Sequence, residues 1–163
     1  MELRRPTVAD KERILDMLAE FEAAGSAMDG GHYPRDLVYE EWLEQNLSNE
    51  MGLDLPEGYV PAIQYVSFDQ NGKALGFLHL RLRLNDFLLQ KGGHIGYSIR
   101  PTERGKGYAK EQLRLGLQEA ASKNIAKVLV TCSTDNQASR RTIVACGGSL
   151  EDTREGVERY WIG

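Results

Sequence analysis

The segment Gly92 to Ala109, GGHIGYSIRPTERGKGYA, sets a β-prone run, a proline and a glycine-rich turn directly before an amphipathic pattern. Small and apolar residues dominate from Ile95 to Ile99, and Pro101 then removes a ladder donor and ends the strand. Gly105 and Gly107 carry no Cβ, so the chain between Thr102 and Lys106 can turn tightly and lie close against a ligand. The helix that follows begins with N–H groups that have no intrahelical acceptor. Those donors and the positive end of the helix dipole favour an anion, and Arg104 and Lys106 add formal charge beside it. The chemistry these residues suit is main-chain capture of a pyrophosphate.

Two other phosphate loops fail on composition. A P-loop needs Ser or Thr after Gly-Lys, whereas Gly105-Lys106 is followed by Gly107 and Tyr108. A dinucleotide fingerprint needs a glycine at Lys110 and an acidic residue about twenty positions on. A second cluster lies downstream. Lys127 to Thr131, KVLVT, reads as a buried strand, and Asn136 opens the helical pattern Gln137 to Cys146, which Gly147-Gly148 ends. Asparagine is a natural N-cap and paired glycines are a natural helix stop.

Read together, Arg104-Gly105-Lys106-Gly107-Tyr108-Ala109 resembles the acetyl-CoA motif of the GNAT N-acetyltransferases, Arg/Gln-x-x-Gly-x-Gly/Ala, in its strand-to-helix context. Asn136 and Ser139 fall on that family's Asn-x-x-Ser/Ala. Family order and spacing hold from Gly93 to Gly148, and the N-terminal half matches in coarse layout alone. The chain looks most like the uncharacterised predicted-acetyltransferase branch, which shares Gly-His-Ile-Gly-Tyr before the loop and Gly-Gly after the Asn helix.

The resemblance implies acetyl-CoA as the acyl donor and CoA as product. The pantetheine arm would enter between two splayed strands, Gly93 to Arg100 and Lys127 to Ser133, and bond to backbone at Ile99. A nearby strand N–H would stabilise the thioester oxyanion. Arg104, Gly105, Lys106, Gly107, Tyr108 and Ala109 would hold the pyrophosphate, Asn136 would bond the pantetheine and Ser139 would lie close to it. Asn136 as a helix cap and Ser139 as a surface residue is the plainer alternative.

An amine with a lysine-like pKa of about 10 is mostly protonated at neutral pH, so a base or water chain must free it to attack the thioester. GNAT enzymes often place a glutamate early in the strand before the loop, and His94 stands within about one residue of that place. His94 acts there as general base, or it bonds to backbone beside Gly92-Gly93 and braces the strand. The tyrosine that many members carry seven residues after the Asn, to protonate the leaving sulfur, is Ile143 here. A thiol pKa near 8.5 still makes a tolerable leaving group, with water, Ser139 or Tyr97 as donor. Gly148 stands where the family usually has Phe.

Composition sets the outer bounds. The 163 residues, 41% hydrophobic and 27% charged, suit one globular domain spanning 1–163. A net charge of −4 gives no basic footprint for nucleic acid and attracts amines weakly. No apolar run reaches membrane-span length and Met1 to Pro6 lacks a signal-peptide core, so a cytoplasmic protein is expected. Cys132 and Cys146 make no disulfide framework, and His32, His79 and His94 have no ligand spacing, so no metal site is read. Cys132 reads as a small core residue, or as a thiol near the thioester. The sequence leaves a homodimer open.

The elements that must position this chemistry follow from periodicity. Glu2 to Arg5 reads as a strand; Thr7-x-x-Asp10 resembles a capping box, and Ile14, Leu15, Leu18 and Phe21 give a helix to about Ala24. Gly25 to Pro34 is turn-rich, Leu37 to Asn49 suggests a second helix, and Met51 to Pro61 is a loop. Ala62 to Phe68 and Leu75 to Leu84 form strands about the Asn71-Gly72 turn, and Ser149 to Ile162 a hairpin through Glu155-Gly156. In the second of these strands leucines at 78, 80, 82 and 84 face the core. Its other face, with His79, Arg81 and Arg83, is solvated or lines the cofactor or acceptor groove. The fold class expected is α/β: a mostly antiparallel, partly parallel sheet with helices on both faces.

In this superfamily the acceptor wall is usually built by the first helices and their connection, here Phe21 to Pro61. That stretch holds Asp29, Asp36, Glu40, Glu41 and Glu44 with Tyr33, Tyr39 and Trp42, which suit a cationic amine or simply form a solvated acidic face. The function expected is acetyl-CoA-dependent N-acetylation of a primary amine, on a small molecule or a protein. A non-catalytic acyl-CoA-binding module is the alternative.

Overall fold

The computed structural model describes residues 1–34 and 36–163. Strand β1 (Glu2–Arg4) leads through a short 3-10 turn into helix α1 (Lys11–Ala23). Thr7 donates both its N–H and its hydroxyl to the Asp10 carboxylate, and Arg4 clamps the same carboxylate at 2.6 and 2.8 Å. A loop then leads to α2 (Tyr39–Glu50), and β2 (Ala62–Phe68) and β3 (Ala74–Arg81) form a hairpin whose Gly72 turns at φ 81°.

Helix α3 (Asp86–Gln90), absent from the sequence reading, ends β3 three residues before the expected Leu84. Its cap is Asn85, whose side chain accepts the Leu88 N–H at 2.9 Å. Strand β4 (Ile95–Ile99), helix α4 (Tyr108–Ser122), β5 (Val128–Ser133) and α5 (Gln137–Ala145) follow. The hairpin of β6 (Ser149–Arg154) and β7 (Val157–Ile162) closes the chain.

The strands form two sheets, ordered β1-β2-β3-β4 and β5-β7-β6. The fold is the α/β class expected, a mostly antiparallel arrangement with helices on both faces; every ladder among the described residues is antiparallel, so the parallel part of that expectation forms no ladder. The sheets join just before β4: the His94 N–H donates to Leu129 O at 2.8 Å, the Leu129 N–H donates back to His94 Nδ1 at 2.9 Å, and the Gly92 N–H donates to Thr131 Oγ1 at 2.9 Å.

Alternation along β2 and β3 sorts the core into two. Leu78, Leu80, Ile63 and Tyr65 pack against Leu113 and Ala120 of α4 and Ile143 of α5. Phe77, Val66 and Phe68 pack on the opposite face against Ile14, Met17 and Phe21 of α1 and Tyr39 and Trp42 of α2. Helices thus cover both faces, each fully buried aliphatic side chain contributing about 1.5–3 kcal/mol.

Polar contacts fix α4 over the sheet. Buried Gln112 accepts from Ser67 and donates to Phe77 O at 3.1 Å, and Gly116 lies so close that a Cβ would meet Leu78 at 2.6 Å. The end of β4 is tied to α1 by Arg100, 3% exposed, which reaches Asp16 and Glu20 and donates to Ala74 O. These two locks fix the loop between β4 and α4.

Candidate functional site

Arg81 donates its N–H to His94 O and Arg100 donates its N–H to Leu75 O, so the even residues of β4 bond to β3. Strand alternation then turns the main chain of Tyr97 and Ile99 toward β5. Past the His94–Leu129 joint the sheets diverge, and that edge of β4 has no strand partner. An open cleft results, along which the Tyr97 main chain and the Ile99 N–H have no strand partner while Ile99 O accepts from Arg104 Nε.

The loop at its end has the geometry of an anion cradle. Gly105 and Gly107 turn at φ 77° and 84°, and a Cβ on either would meet nothing within 4 Å. Among the described residues the N–H groups of Gly105 through Lys110 donate to no acceptor, and they converge at the start of a four-turn helix. The cations expected to assist are engaged elsewhere. Arg104 Nε donates to Ile99 O at 2.9 Å and its Nη2 to Ser26, while Lys106 Nζ bonds Glu103 at 2.9 Å, a carboxylate also held by Lys73. Arg104, with Gly105 and Gly107, nevertheless lines the cleft, and Lys110, Arg141 and Thr142 join it, in a cavity of about 540 Å³ that also includes Ile99, Tyr108, Ala109, Asn136 and Ser139 but not Lys106. Arg141 and Thr142 escaped the sequence reading because their only local signal is their place on the Asn-led helix.

A second cavity, of about 630 Å³, lies toward the Ile95 end of β4 and shares Asp29, Tyr97, Asn136 and Ser139 with the first. The Tyr97 and Ser139 hydroxyls are hydrogen-bonded at 2.9 Å where the two meet. Burial pushes the Tyr97 phenol up to about 12 despite that bond. Asn136 caps α5 as expected, its Oδ1 accepting the Ser139 N–H at 3.1 Å. Asp29 is delivered by the loop after α1: Ser98 donates to its carbonyl and Gln64 donates to Gly30 O at 2.8 Å. Gly30, at φ 95°, presses so closely that a Cβ would meet the Tyr97 Cα at 2.9 Å.

His94 is 7% exposed and lines neither cavity. With Nδ1 accepting from Leu129, its neutral ring carries the proton on Nε2 and has no free basic nitrogen. Burial, and secondarily the Arg81 charge, lower its pKa further. This is the bracing geometry. Ile143 is fully buried in the core, and Cys132, although it lines the second cavity, is a protonated thiol: burial and Glu158 push it up to about 11.

The sequence profile described as the acetyltransferase (GNAT) domain matches residues 1–149. The chain belongs to the GNAT acetyltransferase family. Among solved structures it is similar to a ribosomal-protein-S5-alanine acetyltransferase from Vibrio fischeri, at 16% identity and a TM-score of 0.68 over 98% of this chain and 89% of that one. An acetyltransferase from Salmonella typhimurium that modifies the N-terminal serine of ribosomal protein L7/L12 aligns at 20% identity and TM-score 0.67, covering 98% and 92%. A spermidine N-acetyltransferase SpeG variant from Vibrio cholerae aligns at 19% and 0.61, covering 99% and 94%. At these identities the likeness is one of fold. No curated protein matches significantly.

Among the described residues of the expected GNAT acceptor wall, only Asp29 lines both cavities. Tyr39 and Trp42 are core residues, Glu40 pairs with Lys11, and Glu44 borders a separate groove on α2. The charged face of β3 divides likewise: Arg83 is exposed, whereas Arg81 lines the second cavity. Burial lowers the His79 pKa to about 3. Among the described residues no side-chain cluster could hold a metal ion, and no helix is long and apolar enough to cross a membrane.

Proposed function

We propose that this protein transfers the acetyl group of acetyl-CoA to a primary amine, with acetyl-CoA in the β4–β5 cleft and the amine in the second cavity. The observation that carries this is the unpaired edge of β4, running into the free N–H groups of Gly105 to Lys110 at one end and the Tyr97–Ser139 contact at the other. Acetyl-CoA, the cosubstrate of the family, supplies an activated thioester carbonyl. Main chain at Ile99 and the Asn136 amide would bind the pantetheine, and residues 104–109, joined by Arg141, the pyrophosphate. The Tyr97 N–H on the cleft edge suits the oxyanion.

Asp29 is the carboxylate at the meeting of the two cavities and would take the proton that the amine loses. His94, its Nδ1 committed to Leu129, would hold the two sheets together. At the leaving sulfur, full transfer of a proton from a phenol near 12 to a thiolate near 8.5 is uphill by roughly 5 kcal/mol. Tyr97 would therefore stabilise the thiolate as a hydrogen-bond donor, and solvent would protonate it.

Thiol release from acetyl-CoA over a broad amine panel tests the proposal. Amine-dependent release supports the transferase, and CoA binding without turnover of any amine supports an acyl-CoA-binding module instead. Localisation in the cytoplasm and a single functional domain over 1–163 are part of the same proposal.

A further inference from the structure

The second cavity holds two unspent charges of opposite sign. Asp29 makes no side-chain hydrogen bond or ion pair among the described residues, although its main chain is fixed by Ser98. Half-buried Arg81 contrasts with the two buried guanidinium groups. Arg100 holds Asp16 and Glu20, and Arg159, 1% exposed, holds Glu151 and Asp152. Arg81 has no carboxylate partner among the described residues; its Nη1 donates to Gly92 O at 2.9 Å and Gly93 O at 3.3 Å, which leaves other N–H donors free.

Those donors face the cavity floor. A Cβ on Gly96 would meet Arg81 Nη2 at 3.1 Å, so the bare glycine is what leaves the guanidinium room above β4. Gly96 and Tyr97 are adjacent, and Gly30 presses on the Tyr97 backbone while Ser98 holds Asp29, so Asp29 and Arg81 reach neighbouring positions along the same strand. Arg81 is half-buried, with no carboxylate at bonding distance among the described residues, and the Asp29 charge acts on it only from further off, so a ligand anion adds the charge-assisted, bidentate contact that the guanidinium lacks. Asp29 is exposed like Asp135, Glu155 and Lys91 at the rim, and what sets it apart from them is its place where the two cavities meet.

We propose that the acceptor is a small primary amine bearing an anionic group, its ammonium end received by Asp29 and its anionic end by Arg81. The inference rests on the transferase reading for which end meets the thioester. A polyamine would set a second cation against Arg81.

The test uses ω-amino carboxylates from glycine to 6-aminohexanoate beside the matched alkylamines and diamines, with thiol release and calorimetric titration of the CoA-loaded protein as readouts. The best amino carboxylate should exceed its matched alkylamine and diamine in kcat/KM by about tenfold or more, the range of a charge-assisted contact. Arg81→Gln should bring that ratio near one, and Arg81→Lys should keep most of it. A diamine as best substrate, or a ratio unchanged in Arg81→Gln, overturns the proposal. Absence of thiol release with every amine overturns the transferase reading instead. In that case saturable binding of an amino carboxylate, lost in Arg81→Gln and kept in Arg81→Lys, still supports the Arg81 site, and no such binding refutes it.

Discussion

The two halves of the cleft are built from different material. The half proposed for the acetyl donor is main chain and a helix terminus drawn from one stretch, Ile99 to Lys110, with α5 added across the gap, and the other half is the one proposed for the acceptor. The acceptor half is made of side chains from segments far apart in sequence, Asp29, Arg81, Tyr97, Cys132 and Asn136, which meet only because the sheets part beyond His94. A backbone cradle fixes a ligand common to a family, and scattered side chains are free to differ between members. Substitutions in the two halves should therefore separate cofactor affinity from rate and specificity.

The largest effect should come from Gly107→Glu, which sets a carboxylate where the N–H groups of α4 converge. CoA affinity should fall by about a hundredfold or more, as unfavourable charge at close range in a partly buried site implies. The φ of 84° adds strain of about 1–2 kcal/mol, so circular dichroism must show a folded protein. Unchanged affinity in calorimetric titration would remove the phosphate site from this loop. Next, Asp29→Asn should lower kcat by about tenfold to a hundredfold with CoA affinity kept, the lower range for general-base work. An unaltered rate would leave deprotonation to water.

The joint between the halves should answer in stability. His94→Ala leaves the buried Leu129 N–H without its acceptor, a loss of about 1–3 kcal/mol, which should lower the Tm by several degrees. The pH–rate profile should keep its ionisations, whereas loss of one in the histidine range would restore His94 as the base. The pH dependence has a definite sign. Burial lowers the pKa of His94 and takes that of His79 to about 3, so the unfolded chain binds more protons than the folded one. This contribution to stability is complete above the ordinary histidine value of about 6.5 and is lost progressively as the pH falls below it. A parent Tm independent of pH between about 7 and 5 would contradict it.

The smallest effect is expected at Lys106→Ala. Its ammonium is bound to Glu103, so CoA affinity should change by less than about threefold. Arg141→Ala, on the cleft wall, should cost more; the reverse order in calorimetry would mean that the sequence reading of Lys106 was the better one.

Legibility followed the same division. The donor half could be read because its signals are local: Pro101 ends a strand, two glycines turn the loop, and Asn136 with Gly147 bounds α5. The hairpins at Asn71-Gly72 and Glu155-Gly156 were legible for the same reason. Helix α3 was missed because its one strong signal, the Asn85 cap, sits inside a run of leucines that also fits a strand. Arg81 was left open between solvent and groove because β3 alternation gives a side chain's face but not what covers it. The partner of His94 Nδ1 is Leu129, thirty-five residues away and invisible to any local pattern.

Amide NMR during a CoA titration addresses the donor half most directly. Saturating CoA should shift the Gly105 to Lys110 amides together with those of Tyr97 and Ile99 and slow their hydrogen exchange, leaving the α2 groove around Leu43 and Leu47 unmoved. Saturable binding that perturbs the α2 groove and leaves the Gly105 to Lys110 amides unchanged would contradict acetyl-CoA binding in the β4–β5 cleft.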